Sequence, residues 1–171
     1  AKPKRAPFWR SGQTMNVSDE GKPPERFQGP YISTNAFRLI GEQPLLGRDF
    51  LPEDGQPGAP AVVILGNGVW KNRYGSAASV LGRIVKVNEM PSTVIGVMPE
   101  GFKFPINADL WMPLARMPRL SEQKRDACIL EVFGRLADGV TLAQARSEFS
   151  TMATTLARDY PATNKDITVA V

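Results

Sequence analysis

The chain has 171 residues, 42% of them hydrophobic and 22% charged, with a net charge of +4 and a pI near 9.4. A chain of this size and composition buries roughly 70% of its unfolded surface, and no apolar run reaches the roughly 18–20 residues of a transmembrane helix. With no histidine and a single cysteine, Cys128, a Ser-His-Asp or Cys-His machinery, a tetrahedral zinc site and an intramolecular disulfide are all excluded.

The 15 glycines and 15 prolines predict many short elements joined by fixed turns. Residues 1–7 read as a disordered basic lead-in, with Lys2, Lys4, Arg5 and Arg10 close together. Elsewhere bases alternate with acids, as in Glu25-Arg26, Arg48-Asp49 and Arg125-Asp126, so no nucleic-acid partner is expected. Phe8 to Val17 is weakly strand-like, and Ser18 to Pro24 is a turn cluster. Arg26 to Ile32 is extended around Phe27 and Tyr31. Ser33 then caps a short helix whose Ala36, Phe37 and Ile40 share a face, with Gly41 past its end. Leu45 to Phe50 leads into a Pro- and Gly-rich loop over 51–60.

The organising stretch follows. Ala61 to Leu65 is a short β-branched run and reads as a buried strand. Asn67 is placed as the N-cap of a helix ending at Tyr74, with Gly75 left-handed beyond it and Trp70 and Tyr74 facing one surface. Ile84–Val87 and Thr93–Met98 are strands, and Pro91 between them belongs at a turn or a strand edge. Asp109 to Leu114 is a strand with Leu110, Met112 and Leu114 on one side, and residues 115–127 form an exposed loop. Ile129 to Leu136 is another strand.

Thr141 and Gln144 make a capping box for the clearest helix, in which Leu142, Ala145, Phe149, Met152 and Leu156 keep the helical rhythm through Arg158. Asp159-Tyr160-Pro161 stops it, and Ile167 to Val171 is a final strand. That closing strand–helix–strand series predicts parallel neighbours with a right-handed crossover. A start at Ala1 and an end in a strand-like run are expected of a piece of something longer.

Catalytic patterns are weak. Ser121-Glu122-Gln123-Lys124 has Ser-x-x-Lys spacing but lacks the accompanying Ser-Asp-Asn and Lys-Thr-Gly elements, and reads as a polar connection. Glu42, Asp49, Glu53 and Asp54 are the compact carboxylate cluster a glycosidase would need, yet they lie in connections where acids face water. Gly66-Asn67-Gly68 is not a phosphate loop. Trp70, Phe102, Phe104 and Trp111 form either a binding patch or, in a domain this small, core. Cys128 between Ala127 and Ile129 reads as a small buried thiol. No catalytic, cofactor or metal residue is nominated, and partner-binding residues are not assigned.

The order of pieces has a likeness. Gly47-Arg48-Asp49-Phe50, Pro60 to Leu65, Trp70 and Arg73-Tyr74-Gly75 form one block. Val80-Leu81-Gly82-Arg83, Val87-Asn88 and Thr93 to Pro99 form a second, and Gly101-Phe102, Phe104-Pro105 and Leu110 to Leu114 a third. Gly134-Arg135-Leu136 with Gly139 to Leu142 and Ala145 close the series. Over residues 25–171 this resembles the MacB-like periplasmic core domain of ABC-transporter permeases, especially the large acidobacterial permease group. Asn88-Glu89 stands where the family often has Asn-Gly, and the N-terminal segment is short, as if an early strand and helix were left out.

The resemblance implies an α+β fold with mixed sheets and few short helices, a βαβ-type base plus an inserted mixed α/β lobe. On that basis residues 1–171 are one extracytoplasmic core domain, with 8–28 and 128–171 as the base and 29–127 as the lobe. It further implies a periplasmic location beside a bacterial cytoplasmic membrane, in a parent protein that spans the membrane. The implied partners are the permease's own transmembrane helices, a separate ATPase subunit or domain, and a sister subunit or periplasmic protein, with no cofactor. The function expected is non-catalytic coupling of transmembrane motion to a partner or exported substrate. The alternatives are a free-standing secreted binding module and a small hydrolase using Glu53, Asp54 or Ser121.

Overall fold

The computed structural model describes residues 8–10, 13–124, 127 and 129–165. The expected lead-in over 1–7, Cys128, the final strand over 167–171, and with it the parallel crossover pairing, lie outside these. The chain divides into two compact units, the first Ala1–Leu120 with Ile129–Phe133, the second Ser121–Cys128 with Gly134–Val171.

The first unit is built on strands β1 (Phe8–Arg10), β2 (Thr14–Asp19), β3 (Lys22–Gln28), β4 (Tyr31–Ile32), β5 (Leu46–Gly47), β6 (Val62–Leu65), β7 (Ile84–Val87), β8 (Met90–Val97), β9 (Leu110–Pro113) and β10 (Glu131–Val132). Helices α1 (Ala36–Ile40) and α2 (Asn67–Tyr74) belong to the same unit. The strands join in the order β10-β1-β4-β9-β6-β8-β7-β2-β3, with β5 pairing β8. The β4–β9 and β6–β8 pairs are parallel and the remainder antiparallel. This is the expected mixed sheet with few short helices.

At the sheet centre both faces are covered, which is why β6 is a continuous apolar run instead of an alternating one. Val63 and Leu65 join Val94, Leu110, Met112, Met15 and Val17 in one core, while Val62 and Ile64 join Ile32, Phe37, Phe50 and Trp111 in the other. β9 likewise buries Trp111 opposite Leu110 and Met112. Phe37 stacks on Phe50 at 5.8 Å and meets Trp111 edge-on at 5.7 Å. The Trp111 indole Nε1 donates to the Phe104 carbonyl at 2.7 Å, so burial of its ring leaves no polar atom unsatisfied.

Several local expectations shift. Gly66, extended at φ −74 and ψ 154, is the N-cap of α2, and Asn67 is its first helical residue. The Gly66 N–H donates to the Asp109 carbonyl at 2.6 Å, tying the end of β6 to the start of β9, and the helix begins one residue earlier than the sequence predicted. Gly41 and Gly75 end their helices left-handed, as expected. The turn predicted over 18–24 contracts to Glu20-Gly21, because Pro23 and Pro24 sit on β3, the outermost strand, where a missing N–H costs no ladder bond.

Pro91 lies within β8, opposite Lys86, but β6 begins pairing only at Thr93. Proline therefore occupies a locally open edge of an otherwise central strand. Asn88 and Glu89 form a two-residue turn with φ of 48° and 66°. The turn geometry is thus that of a type I′ hairpin even with Glu in the second position.

The strand expected over 129–136 shortens to β10. In the second unit, α3 (Leu142–Asp159) carries the predicted capping box, with Gln144 N–H donating to Thr141 Oγ1 at 3.2 Å and Thr141 N–H donating to Gln144 Oε1 at 2.8 Å. A short α4 (Pro161–Asn164) follows. Of the predicted stripe only Ala145 is buried; Leu142, Phe149, Met152 and Leu156 are exposed.

Candidate functional site

The carboxylates flagged in the sequence do not converge on a reactive centre. Asp54, in a 3-10 turn over Pro52–Gly55, is buried and accepts three N–H bonds. They come from Leu51 N at 2.7 Å, Arg48 Nη1 at 2.7 Å and Arg48 Nη2 at 3.1 Å. Burial works to raise this carboxyl, but the bidentate Arg48 guanidinium and the Leu51 amide together hold it below its ordinary value. Asp49 accepts from Phe50 N at 2.6 Å, yet burial dominates and raises its carboxyl. Glu42 and Glu53 are exposed.

Asp54 is therefore locked as an acceptor within its own loop. Ser121 and Lys124 are exposed, Ser121 within a 3-10 turn over Leu120–Glu122. Phe102, Phe104 and Trp111 belong to the core, and the Trp70 indole donates to the Ala77 carbonyl at 2.9 Å. Among the described residues no group of three histidine, cysteine or acidic side chains is placed to hold a metal ion.

The most extensive charged constellation is one the sequence did not flag. Arg73, near the end of α2, is almost wholly buried, its side chain 4% exposed beside an Asp19 carboxylate that is 2% exposed. Arg73 Nη2 donates to Asp19 Oδ1 at 2.5 Å and to the Pro23 carbonyl at 3.0 Å, while Nη1 donates to Glu25 Oε2 at 3.1 Å. Arg83 Nη1 donates to the second Asp19 oxygen at 2.9 Å.

The Tyr74 ring lies 5.8–5.9 Å from Lys22, Arg73 and Arg83, and burial raises its phenol. Burial also works to lower Arg73, but the Asp19 carboxylate reverses this and raises it. The partners are 48 to 64 residues apart in the chain, so no local pattern could reveal them.

A mixed sheet cored on both faces, with few short helices, defines an α+β domain. The chain belongs to the MacB-like periplasmic core domain family, whose sequence model matches residues 4–152. It is thus a periplasmic core domain of the MacB-like ABC-transporter permease type. The match begins earlier than the residue likeness over 25–171 and stops within α3.

Among solved structures, the extracellular domain of the noncanonic ABC-type transporter YknZ from Gram-positive bacteria matches with a TM-score of 0.66 at 19% identity, covering 94% of this chain and 78% of that one. The periplasmic region of MacB from Actinobacillus actinomycetemcomitans matches with a TM-score of 0.66 at 16% identity, covering 99% and 79%. These similarities show a shared fold. Comparison with curated proteins returns no match. No helix among the described residues is long and apolar enough to cross a membrane.

Proposed function

We propose that this chain is a non-catalytic, extracytoplasmic domain that couples movement of a permease's transmembrane helices to a partner protein or an exported substrate. The observation that supports this reading is family membership over residues 4–152, together with a first unit whose continuous sheet is packed on both faces. Such a body moves as a piece, because close-packed interiors transmit displacement instead of absorbing it. The partners on this reading are the permease's own membrane helices, an ATPase subunit or domain, and a sister subunit or periplasmic protein.

The location is tested in the membrane-embedded permease by replacing Cys128 with serine and placing a single cysteine at exposed Glu89. A membrane-impermeant thiol reagent applied to intact spheroplasts is expected to label Glu89→Cys fully. Labelling only after lysis would contradict the proposal.

A further inference from the structure

The β2–β3 hairpin is attached to the first unit by two different kinds of contact. At its root the attachment is apolar: Met15 and Val17 are fully buried, and Phe27 packs against the same core. Asn16 N–H donates to Asn88 Oδ1 at 2.9 Å, and the Asn16 carbonyl accepts from Asn88 N–H at 2.9 Å. The ladder to β7 spans only two residue pairs, Val17 with Val87 and Ser18 with Lys86. Beyond Ser18 the tip, Asp19-Glu20-Gly21-Lys22-Pro23-Pro24, contains no large apolar anchor and most of β3 is exposed, while Glu25 and Arg26 pair with Val17 and Asn16 at the root.

What holds the tip is the charged clasp. Arg73 reaches both strands of the hairpin at once, through Asp19 on β2 and through Pro23 and Glu25 on β3. Arg83, just before β7, grips Asp19 from the other side. An apolar root resists opening because separation returns its surface to water. A polar clasp differs: once open, each of its ions is hydrated, which offsets much of the cost of separating the pair.

We infer that the hairpin is a hinged arm, pivoting at Met15, Val17 and Phe27 and latched at its tip by Asp19, Arg73 and Arg83, with Glu25 bracing Arg73 beside the pivot, and that the tip opens independently of the sheet. Opening uncovers the buried Arg73 guanidinium beside the Tyr74 ring and frees the half-exposed Arg83 from Asp19. This rests on the geometry of the first unit alone and holds whatever the domain couples to.

Amide hydrogen exchange followed by mass spectrometry on the 171-residue chain tests it. The reporter is the stretch 18–24, referenced to peptides over 62–65 and 93–97. In Arg73→Met the tip is expected to exchange at least about tenfold faster, while the β6 and β8 peptides keep wild-type rates. Glu25→Gln and Arg83→Gln each remove one half-exposed partner, leave the buried pair in place, and are expected to accelerate the tip alone by about two- to fivefold. These two milder variants decide the matter if Arg73→Met does not fold. Acceleration of tip and core by the same factor, or no acceleration of the tip, would overturn the latch.

Discussion

Asp49 and Asp54 are five residues apart in one loop and titrate in opposite directions, which makes them a sensitive probe of the local geometry. The folded-state carboxyl of Asp54 lies below its unfolded value. Its contribution to stability is therefore complete above the ordinary carboxylate range and is lost as pH falls through the depressed folded value. Asp54→Ala removes three charge-assisted acceptor bonds, one of its donors being the half-exposed Arg48, and is expected to cost about 2 kcal/mol at pH 7 in urea unfolding. That cost should shrink in acid.

Asp49 has the reverse sign: its folded carboxyl is raised, so the charge opposes folding above that value. Asp49→Asn, which keeps an oxygen for the Phe50 N–H, should unfold at higher urea than wild type at pH 7, with the gap closing as pH falls. Glu89 holds φ at 66° without being glycine. Glu89→Gly relieves that cost and is expected to stabilise the chain by about 0.5–1 kcal/mol. A destabilised variant would mean that Glu89 makes compensating contacts. Gly96 marks the opposite constraint, since a Cβ there would meet the Arg48 carbonyl at 2.6 Å where β5 crosses β8.

At the level of elements, what could be read in the sequence follows from which interactions are local. Strand β6, helix α2 and the two strands β7 and β8 were legible because β-branched runs and terminal glycines are written contiguously, whereas the two-residue turn at Asn88-Glu89 was not, since Glu stands where glycine is usual and Pro91 marked a longer break. The capping box of α3 was legible for the same reason. Burial of β9 on both sides was not, because Trp111 and Leu110 reach different cores supplied by segments far apart in sequence. Arg73-Tyr74-Gly75 stood out only as a piece of the family likeness; its pairing with Asp19, 54 residues away, is written in no local pattern. The carboxylates that did look like a site were compact in sequence yet spent on their own turn.

The apolar rhythm of α3 was read correctly as a helix, but rhythm alone does not say whether the stripe is covered. With Phe149 44% exposed, Phe149→Ser is expected to shift the urea unfolding free energy of the 171-residue chain by less than about 0.5 kcal/mol. Phe37→Ala, in the middle of the aromatic core, should cost about 3–5 kcal/mol by the same measurement. Equal costs would show that the α3 stripe is buried in solution.

For the molecule as a whole, the fold and the family agree, and the build of the first unit is what supports the proposed role. Its sheet runs through a doubly packed centre to a hairpin arm at one edge, so displacement applied at one place is carried elsewhere as a rigid shift, except where a polar latch permits separate movement. The resemblance drawn from residues 25–171 supplied this functional setting, and the family match over 4–152 supports it. The coupling claim is met most directly by electron-electron distance measurement in the intact permease in nanodiscs, with Cys128 replaced by serine. One spin label would sit at Glu89→Cys and the other on a transmembrane helix of the same protein. The account predicts that ATP turnover, compared with the nucleotide-free state, shifts the distance distribution between the two labels. An identical distribution in both states, in a permease shown to be hydrolysing ATP, would contradict it.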